Sequence, residues 1–258
     1  MTPGVPGPAV RVLIVCPTYC EADNIVEFLQ RVREELPSAD ILVVDDASPD
    51  GTAALAAEVA EQLGQIRVLR RHGKAGLGPA YRAGFAQGLH EGYDVLVEMD
   101  ADHSHDPSVL PSLVEGTARG VDLVIGSRYV DGGSTPNWPF VRRVISRVGC
   151  RYASFALNIP VRDATAGFRA YRAAALRAVD YEHTLANGYA FQIELAYRLV
   201  QLGATVEETP ITFRDRQRGV SKMSLWIATE AMLLVTRWGI SDLFRGRRYR
   251  RGAGVGAA

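Results

Sequence analysis

The stretch Val95-Leu96-Val97-Glu98-Met99-Asp100-Ala101-Asp102 is an apolar run that ends in two carboxylates one residue apart. If the run is a buried strand, its side chains alternate between the faces of a sheet, so Asp100 and Asp102 point the same way. Two like charges so close repel each other unless a cation lies between them. A divalent ion with oxygen ligands would fit, and a phosphate-bearing substrate would complete its shell. An Asp-rich turn explains the same residues, and the stretch alone leaves both interpretations open.

The same arrangement, an apolar run followed by polar residues, recurs along the first half of the chain. Predicted strands cover residues 11–16, 40–46, 66–69, 93–99 and 122–126. Predicted helices cover 24–36, 53–63 and 107–116, and a further helix follows the glycine-rich loop 73–78 and runs to about 90. This alternation predicts an α/β fold, a mostly parallel sheet with helices on both faces. Ligands bind at the carboxyl ends of such strands, which is where residues 18–21, Asp45, Asp46 and the Asp100–Asp102 pair fall.

The alternation stops after residue 128. Residues 142–157 predict an arginine-rich amphipathic helix, 163–169 a compact turn, 189–202 a helix, 205–210 a strand, 214–222 a polar loop and 224–244 a last apolar helix. We therefore expect a disordered N-terminal tail (1–9), a main domain (10–222), an amphipathic helix (223–244) and a basic flexible tail (245–258).

The bulk composition limits the possible functions. The chain has 258 residues, is 47% hydrophobic and carries 29 basic and 29 acidic residues. Its size suits one large domain or a domain with an appendage, and its zero net charge does not favour nucleic acid as a partner. Three cysteines form neither a disulfide framework nor a zinc pattern, so a reducing compartment is the simpler inference. We expect neither a signal peptide nor a transmembrane helix.

Several common active sites are missing from the motifs. The glycine-rich loop lacks the Gly-x-x-x-x-Gly-Lys-Ser/Thr spacing of a P-loop, and no Gly-x-Gly-x-x-Gly follows the first strand, which disfavours a nicotinamide enzyme. No Ser-His-Asp or Cys-His set lies convincingly at a strand end. An acid pair after the second strand, Asp-x-Asp after the fourth and downstream arginines suited to phosphate favour a sugar-nucleotide transferase.

Eight motifs, in order, resemble the polyprenol-phosphate (dolichol-phosphate) mannose synthases. They are PTYCE (17–21), VVDDASPDGT (43–52), GKAGLG (73–78), MDADHSH (99–105), GSRY (126–129), GFR (167–169), GYAFQIE (188–194) and DRQRGVSK (215–222). The resemblance covers residues 10–224 and implies an inverting glycosyltransferase of the GT-A fold that uses GDP-mannose and a divalent metal, Mg²⁺ or Mn²⁺. Cys20 departs from the family, which usually has Asn there; this should alter local hydrogen bonding without removing a charged contact.

The resemblance also implies roles for individual residues. The guanosine part of the donor would be held by Pro17, Tyr19, Glu21, Val44 and Asp46. The diphosphate and metal would be met by Asp100, Ala101 and Asp102, with Ser104 as a third metal ligand. The donor and acceptor phosphates would be surrounded by Arg128, Arg142, Ser146 and Arg216, and Lys222 would lie in a loop that closes on the nucleotide. Catalysis would depend on Asp100, Asp102, Arg128 and Arg216.

The implied chemistry needs no general base. A lipid monophosphate, with a second pKa of about 6, is largely anionic at neutral pH and can attack the anomeric carbon directly. One in-line displacement would invert the anomeric centre and give polyprenyl-phosphate-β-mannose and GDP. The alternatives are another donor, such as UDP-glucose, or a binding module without turnover.

The expected partners are therefore GDP-mannose, a polyprenyl monophosphate and a membrane surface. The last helix is too charged to span a bilayer comfortably, whereas its tryptophans and the basic tail suit the interface. We expect a peripheral enzyme on the cytoplasmic face, with packing on the core or on a membrane-anchoring partner protein as the competing interpretation of this helix.

Some polar residues keep two interpretations. His103 and His105 are either metal ligands or, as we favour, surface or supporting groups. Asp163 and Arg169 either close the turn around Gly167 or shape the acceptor side. The pair 192 and 194 either replaces a catalytic acid found in transferases with alcohol acceptors or anchors its helix.

Overall fold

The strands of the described part of the chain form one seven-stranded sheet in the order β3-β2-β1-β4-β6-β5-β7. The computed structural model describes residues 10–184, 186, 188–215 and 225–245, without the side chains of residues 189, 225–228 and 245. The predicted tail 1–9, the loop 216–224 and residues 246–258 of the predicted basic tail therefore lie outside the described residues.

Strands and helices alternate through the first half of the chain, as the sequence predicts. The order is β1 (Val12–Thr18), α1 (Ile25–Glu35), β2 (Asp40–Asp45), α2 (Thr52–Leu63), β3 (Ile66–Arg70), α3 (Leu77–His90), β4 (Val95–Glu98), α4 (Leu110–Ala118) and β5 (Leu123–Ser127). The second half contains α5 (Phe140–Leu157), β6 (Arg169–Arg172), α6 (Ala173–Ala178), α7 (Tyr189–Gln201), β7 (Val206–Pro210) and α8 (Leu225–Arg245). The predicted α/β fold, a mostly parallel sheet covered on both faces, is confirmed.

Successive strand residues divide between two hydrophobic cores. In β1, Val12 and Ile14 pack with α1, α2 and α4, whereas Leu13 and Val15 pack on the other face with α3 and α7. A strand buried on both faces is continuously apolar rather than alternating, which explains the apolar runs in the sequence. Both cores hold the carboxyl ends of the central strands at one edge.

Two elements have no counterpart in the predicted order. Strand β6 runs antiparallel between β4 and β5, and α6 follows it at once. The predicted turn 163–169 therefore ends in a strand that occupies the middle of the sheet. The four residues of β6 carry an arginine at each end, and no apolar run marks them.

The strand before the acid pair is shorter than predicted. β4 ends at Glu98, so Asp100 and Asp102 lie beyond it, in a segment of bends. The alternation of side chains along a strand therefore does not apply to this pair. His103, at φ 59°, adopts the left-handed conformation in the same segment.

Candidate active site

The carboxyl ends of β2, β1 and β4 are neighbours, and their polar residues gather there. Thr18 donates from Oγ1 to Asp45 Oδ1 at 2.9 Å. Ser48 donates to the same carboxylate from its backbone nitrogen and from Oγ, at 2.9 and 2.6 Å. Asp45 thus closes the turn after β2 and ties it to the end of β1.

Asp46 holds the glycine-rich loop. Its Oδ2 accepts from the backbone nitrogens of Ala75 and Gly76 at 3.0 and 3.1 Å, and its Oδ1 pairs with Arg71 at 2.7 Å. This contact brings the ammonium of Lys74 within 4.2 Å of the centre of the Tyr19 ring. The described contacts of Asp46 are therefore all made to other residues of the protein, next to Tyr19 of the predicted nucleotide site.

The other residues predicted to bind the sugar-nucleotide donor lie at the same end of the sheet. Glu21 is buried and accepts from Asn24 Nδ2 at 2.8 Å, and Pro17 lies half-buried at the end of β1. The side chain of Val44 belongs to the core between the sheet and α3, so only its backbone is left to face a ligand. Lys222 and Arg216 lie outside the described residues.

The predicted metal residues lie together beyond β4. Asp100 Oδ1 accepts from the hydroxyl of Tyr81 at 3.1 Å, and Asp102 Oδ1 accepts from the backbone nitrogen of Ser104 at 3.1 Å. Ala101 and Ser104 are buried beside them. Burial, and then the charges of Asp100, Glu21 and Asp102, raise the pKa of the Cys16 thiol on β1.

This pair suits a hard divalent ion. Within the described residues there is no group of three or more His, Cys, Asp or Glu side chains arranged for a metal. Mg²⁺ is commonly bound by one or two carboxylates, with substrate phosphates and water as its other ligands. The oxygen donors of Asp100 and Asp102 fit such an ion, whose positive charge would stabilise a leaving diphosphate.

Arg128 is buried and paired. Its Nε and Nη2 donate to the two carboxylate oxygens of Asp163 at 2.6 and 2.5 Å, and Nη2 also donates to Thr165 at 2.8 Å. Burial opposes the charged form of Arg128, but the charge of Asp163 outweighs it and raises the pKa of the guanidinium. Arg128 therefore stays cationic.

An aromatic cluster joins Arg128 to Arg142 and Ser146. We use this name for Tyr129, Trp138 and Phe213, whose rings all lie within 5.4 Å of the Arg128 guanidinium carbon. The Tyr129 hydroxyl donates to Ser146 Oγ at 2.6 Å. Arg142 stacks over Trp138 at 3.9 Å.

Asp215 completes this region. Its Oδ1 accepts from Arg142 Nη1 at 2.7 Å and from Trp138 Nε1 at 3.0 Å. The three described residues of the predicted acceptor-phosphate site, 128, 142 and 146, are thus brought together.

One loop connects the acidic and basic groups. Residues 163–168 begin with Asp163, the partner of Arg128, and reach Gly167, where a Cβ would lie 3.7 Å from Asp100 Oδ2. His105 stacks on Phe168 with ring centres 5.1 Å apart. The Asp100 carboxylate and the Arg128 guanidinium therefore both lie against one short segment.

Comparison with known proteins decides the family. The domain described as Glycosyl transferase family 2 matches residues 13–180. The chain belongs to this family.

Two curated relatives cover almost the whole transferase. An undecaprenyl-phosphate mannosyltransferase from Micrococcus luteus is 49% identical over 94% of this chain and 100% of its own length. A polyprenol monophosphomannose synthase from Mycolicibacterium smegmatis is 48% identical over 95% of this chain and 91% of its own. The resemblance noted from the motifs is confirmed.

A solved structure is similar in fold. A mannosyltransferase from Pyrobaculum calidifontis, in complex with GDP-Man and Mn²⁺, superposes with a TM-score of 0.61 at 18% identity, over 93% of this chain and 66% of that one. The predicted GT-A-like fold of the transferase is confirmed.

The two histidines that follow the acid pair are not at the surface. His103 and His105 are both buried, so the surface interpretation is wrong, and the turn after β4 folds them inward. Burial and the charge of Arg128 lower the pKa of His105 to about 4, against the opposing effect of Asp102. His105 is thus a neutral packing group in this structure.

The two polar residues of α7 differ. Glu194 accepts from Arg198 Nη2 at 2.7 Å and from the backbone nitrogen of Ala186 at 3.0 Å, which favours the helix-anchoring interpretation for this residue. Gln192 is buried, and its side chain contacts Glu98, whose charged form it favours. Burial raises the pKa of neighbouring Glu98 to about 8, so this carboxyl is largely protonated at neutral pH.

Sequence reasoning missed several contributors to the site. Tyr81, Trp138 and Asp215 support predicted residues from other parts of the chain. Asp215 lies in a quoted motif, but no local pattern links Tyr81 on α3 to Asp100, because the contact is formed only by the packing of helix on sheet.

Proposed function

We propose that the transferase moves mannose from GDP-mannose to a polyprenyl monophosphate with inversion, giving polyprenyl-phosphate-β-mannose and GDP. The names of both relatives support the acceptor class and the sugar, and the donor printed for the solved mannosyltransferase supports GDP-mannose. The observation that carries the proposal is the loop 163–168, which contacts Arg128 through Asp163 and lies next to the Asp100 carboxylate at Gly167.

The acidic and the basic residues next to this loop would have different roles. Asp100 and Asp102, with Ser104 beside them, would hold Mg²⁺ or Mn²⁺ against the donor diphosphate. Arg128, Arg142 and, from the loop outside the described residues, Arg216 would bind the phosphates. Guanidinium groups match phosphate oxygens in pairs of hydrogen bonds, which orients the acceptor and reduces its repulsion from the donor.

No residue needs to remove a proton in this reaction. The acceptor phosphate is already anionic, and its oxygen attacks the anomeric carbon as the bond to GDP breaks. Burial lowers the pKa of His105 to about 4, so this imidazole is a poor proton acceptor at neutral pH, in agreement with the absence of a general base. The protein contributes position and charge stabilisation.

The test is a panel of radiolabelled donors with a short-chain polyprenyl phosphate, measured as lipid-linked sugar. We expect label from GDP-mannose and none from UDP-glucose; the reverse result would contradict the donor. Asp102→Asn should nearly abolish transfer. Asp106→Asn is the matched control, since Asp106 lies four residues on and pairs with half-buried Arg31. Substantial metal-dependent transfer by Asp102→Asn would exclude the proposed role of the pair.

We further propose that the transferase binds peripherally to the cytoplasmic face of a membrane. None of the helices in the described residues has the length and apolarity that crossing a bilayer requires. Helix α8 packs on the core through Ala231 and Val235 and against α5 through Gly239. Exposed apolar side chains remain on both helices: Phe140, Val141, Val144, Ile145, Val148 and Phe155 on α5, and Met232, Leu233, Ile240, Leu243 and Phe244 on α8.

Charge supports the same orientation. Arg143, Arg147 and Arg151 are exposed among the apolar residues of α5, an arrangement that suits anionic headgroups. Phe155→Asp should reduce cosedimentation with anionic vesicles, whereas Leu202→Asp, an exposed apolar position at the end of α7, should not. Equal binding by both variants would exclude α5 as the contact surface.

A further inference from the structure

Glu208 on the edge strand β7 holds the start of the loop 163–168. Its Oε2 accepts from the backbone nitrogen of Arg162 at 2.8 Å, and its Oε1 accepts from that of Asp163 at 2.9 Å. Two bonds from one carboxylate to consecutive backbone nitrogens fix the peptide between them. The backbone of Asp163 is therefore fastened to β7.

Asp163 in turn fixes Arg128. The carboxylate is fully buried and accepts three bonds from that residue: the two guanidinium bonds described above and one from the backbone nitrogen at 2.9 Å. The rigid fork of a guanidinium allows one orientation for such a bidentate contact. Among the described residues, no side chain or carbonyl accepts from the remaining nitrogen, Nη1.

We propose that Glu208 and Asp163 are positioning residues that together aim Arg128 Nη1 at the acceptor phosphate. The inference rests on the proposed function, which places the phosphate at Arg128. Glu208 orients the backbone of Asp163, Asp163 holds the Nε–Nη2 edge, and the rings of Trp138 and Phe213 limit sideways movement. Two donor hydrogens of Nη1 are left for the ligand.

The chain offers matched controls for both residues. Glu207 is adjacent on β7, but it points to the other face and pairs with exposed Arg119 at 2.8 Å. Asp122 is a buried aspartate that pairs with Arg172 at 3.2 Å just before β5, at the opposite end of the strand from Arg128. Losing either control carboxylate removes an ion pair from the same strand region without touching Arg128, Arg142 or Asp215.

The test compares Glu208→Gln with Glu207→Gln, and Asp163→Asn with Asp122→Asn, in the full chain. Two quantities are measured: the Kd for a short-chain polyprenyl phosphate by calorimetry, and KM and kcat for acceptor and donor. We expect Asp163→Asn to weaken acceptor binding at least tenfold and Glu208→Gln about three- to tenfold. Donor KM should change less than twofold, and the control variants should bind acceptor as the unaltered protein does.

A purely structural role predicts a different pattern. It would lower the melting temperature and the active fraction, and hence kcat, while the acceptor Kd stayed constant; that result in Glu208→Gln would overturn the proposal even if Asp163→Asn failed to fold. Arg128→Lys separates the two hypotheses. If it leaves acceptor binding unchanged, the placement of the phosphate at Arg128 fails. If it weakens binding and Glu208→Gln does not, the positioning role fails alone.

Discussion

Replacing Tyr81 by phenylalanine tests how the carboxylate pair is prepared for a cation. Tyr81 is fully buried and donates to Asp100 Oδ1 at 3.1 Å, so the substitution removes one hydrogen bond to a charged group and keeps the ring. Its stacking on Phe85 and Phe191, with ring centres 6.0 and 6.2 Å apart, should persist. A hydrogen bond to a charged group contributes about 1.5–3 kcal/mol. At about 1.4 kcal/mol per tenfold in affinity, we expect Mn²⁺ to bind about 10- to 100-fold more weakly.

The assay is calorimetric titration of Mn²⁺ in the presence of GDP, repeated by the dependence of transfer rate on Mn²⁺ concentration. Tyr171→Phe is the matched control, because Tyr171 is also fully buried and donates to a carboxyl oxygen, Glu98 Oε2, at 3.2 Å. The Glu98 carboxyl group is not a proposed ligand. If both variants bind Mn²⁺ equally well, or if Tyr81→Phe binds as tightly as the unaltered protein, Asp100 is not oriented through Tyr81 and the reasoning is refuted.

The remaining predictions concern stability and can be read from urea unfolding. A Cβ at Gly84 would overlap Val15 Cγ1 and lie 3.2 Å from its Cγ2, so Gly84→Ala should destabilise by about 1–3 kcal/mol through overpacking. At Gly149 a Cβ meets no described atom within 4 Å, so Gly149→Ala should stabilise by about 0.5–1 kcal/mol; the same sign for both would contradict the packing argument. The hydrogen bond with Arg67 lowers the pKa of Glu91 from 4.5 to about 2. Since the folded-state pKa is depressed, this stabilisation is present above pH 4.5 and lost as pH falls towards 2. Because the Arg67 side chain is 41% exposed, we expect only about 1 kcal/mol, and the deficit of Glu91→Gln at pH 7 should vanish near pH 2.

The elements that could be predicted from the sequence are those whose buried residues form a regular pattern within a short stretch of the chain. Helix α1 shows this, since the four apolar positions at helical spacing, Ile25, Phe28, Leu29 and Val32, are its buried residues. Strand β6 could not be predicted in the same way. Its Arg169 is fully buried because its guanidinium donates to the carbonyls of Ala164, Ala166 and Gln192, and no sequence pattern reveals partners supplied by backbone.

The residues of the candidate site show the same difference between what the sequence could and could not predict. The acid pair follows a strand and could be located from that fact alone, although β4 ends earlier than the pattern implies. Glu208 could not be found, because alternate residues of a half-exposed edge strand give no sign of which carboxylate meets a distant loop. Its neighbour Glu207 is also a glutamate, but the Glu207 carboxylate accepts from the exposed side chain of Arg119, whereas the Glu208 carboxylate accepts from the backbone of Arg162. Only the register of β7 on β5, which pairs Ile125 with Glu208, separates them.

The loop 163–168 is anchored at both ends, and this matters for the proposed reaction, in which the acceptor phosphate and the donor diphosphate are both anions. Glu208 and Arg128 hold its first residue, Asp163, and Arg169, immediately after the loop, is held by three carbonyls. The segment that lies against both Arg128 and the Asp100 carboxylate is therefore anchored at both ends. In-line displacement requires nucleophile and leaving group at a fixed distance and angle, and geometry fixed in advance lowers the entropic cost of reaching the transition state. A loop that only filled space between strands would not need a buried ion pair at one end and a buried guanidinium at the other, since each is costly unless fully satisfied. The two anchors are better explained as fixing the distance at which an acceptor phosphate meets the donor.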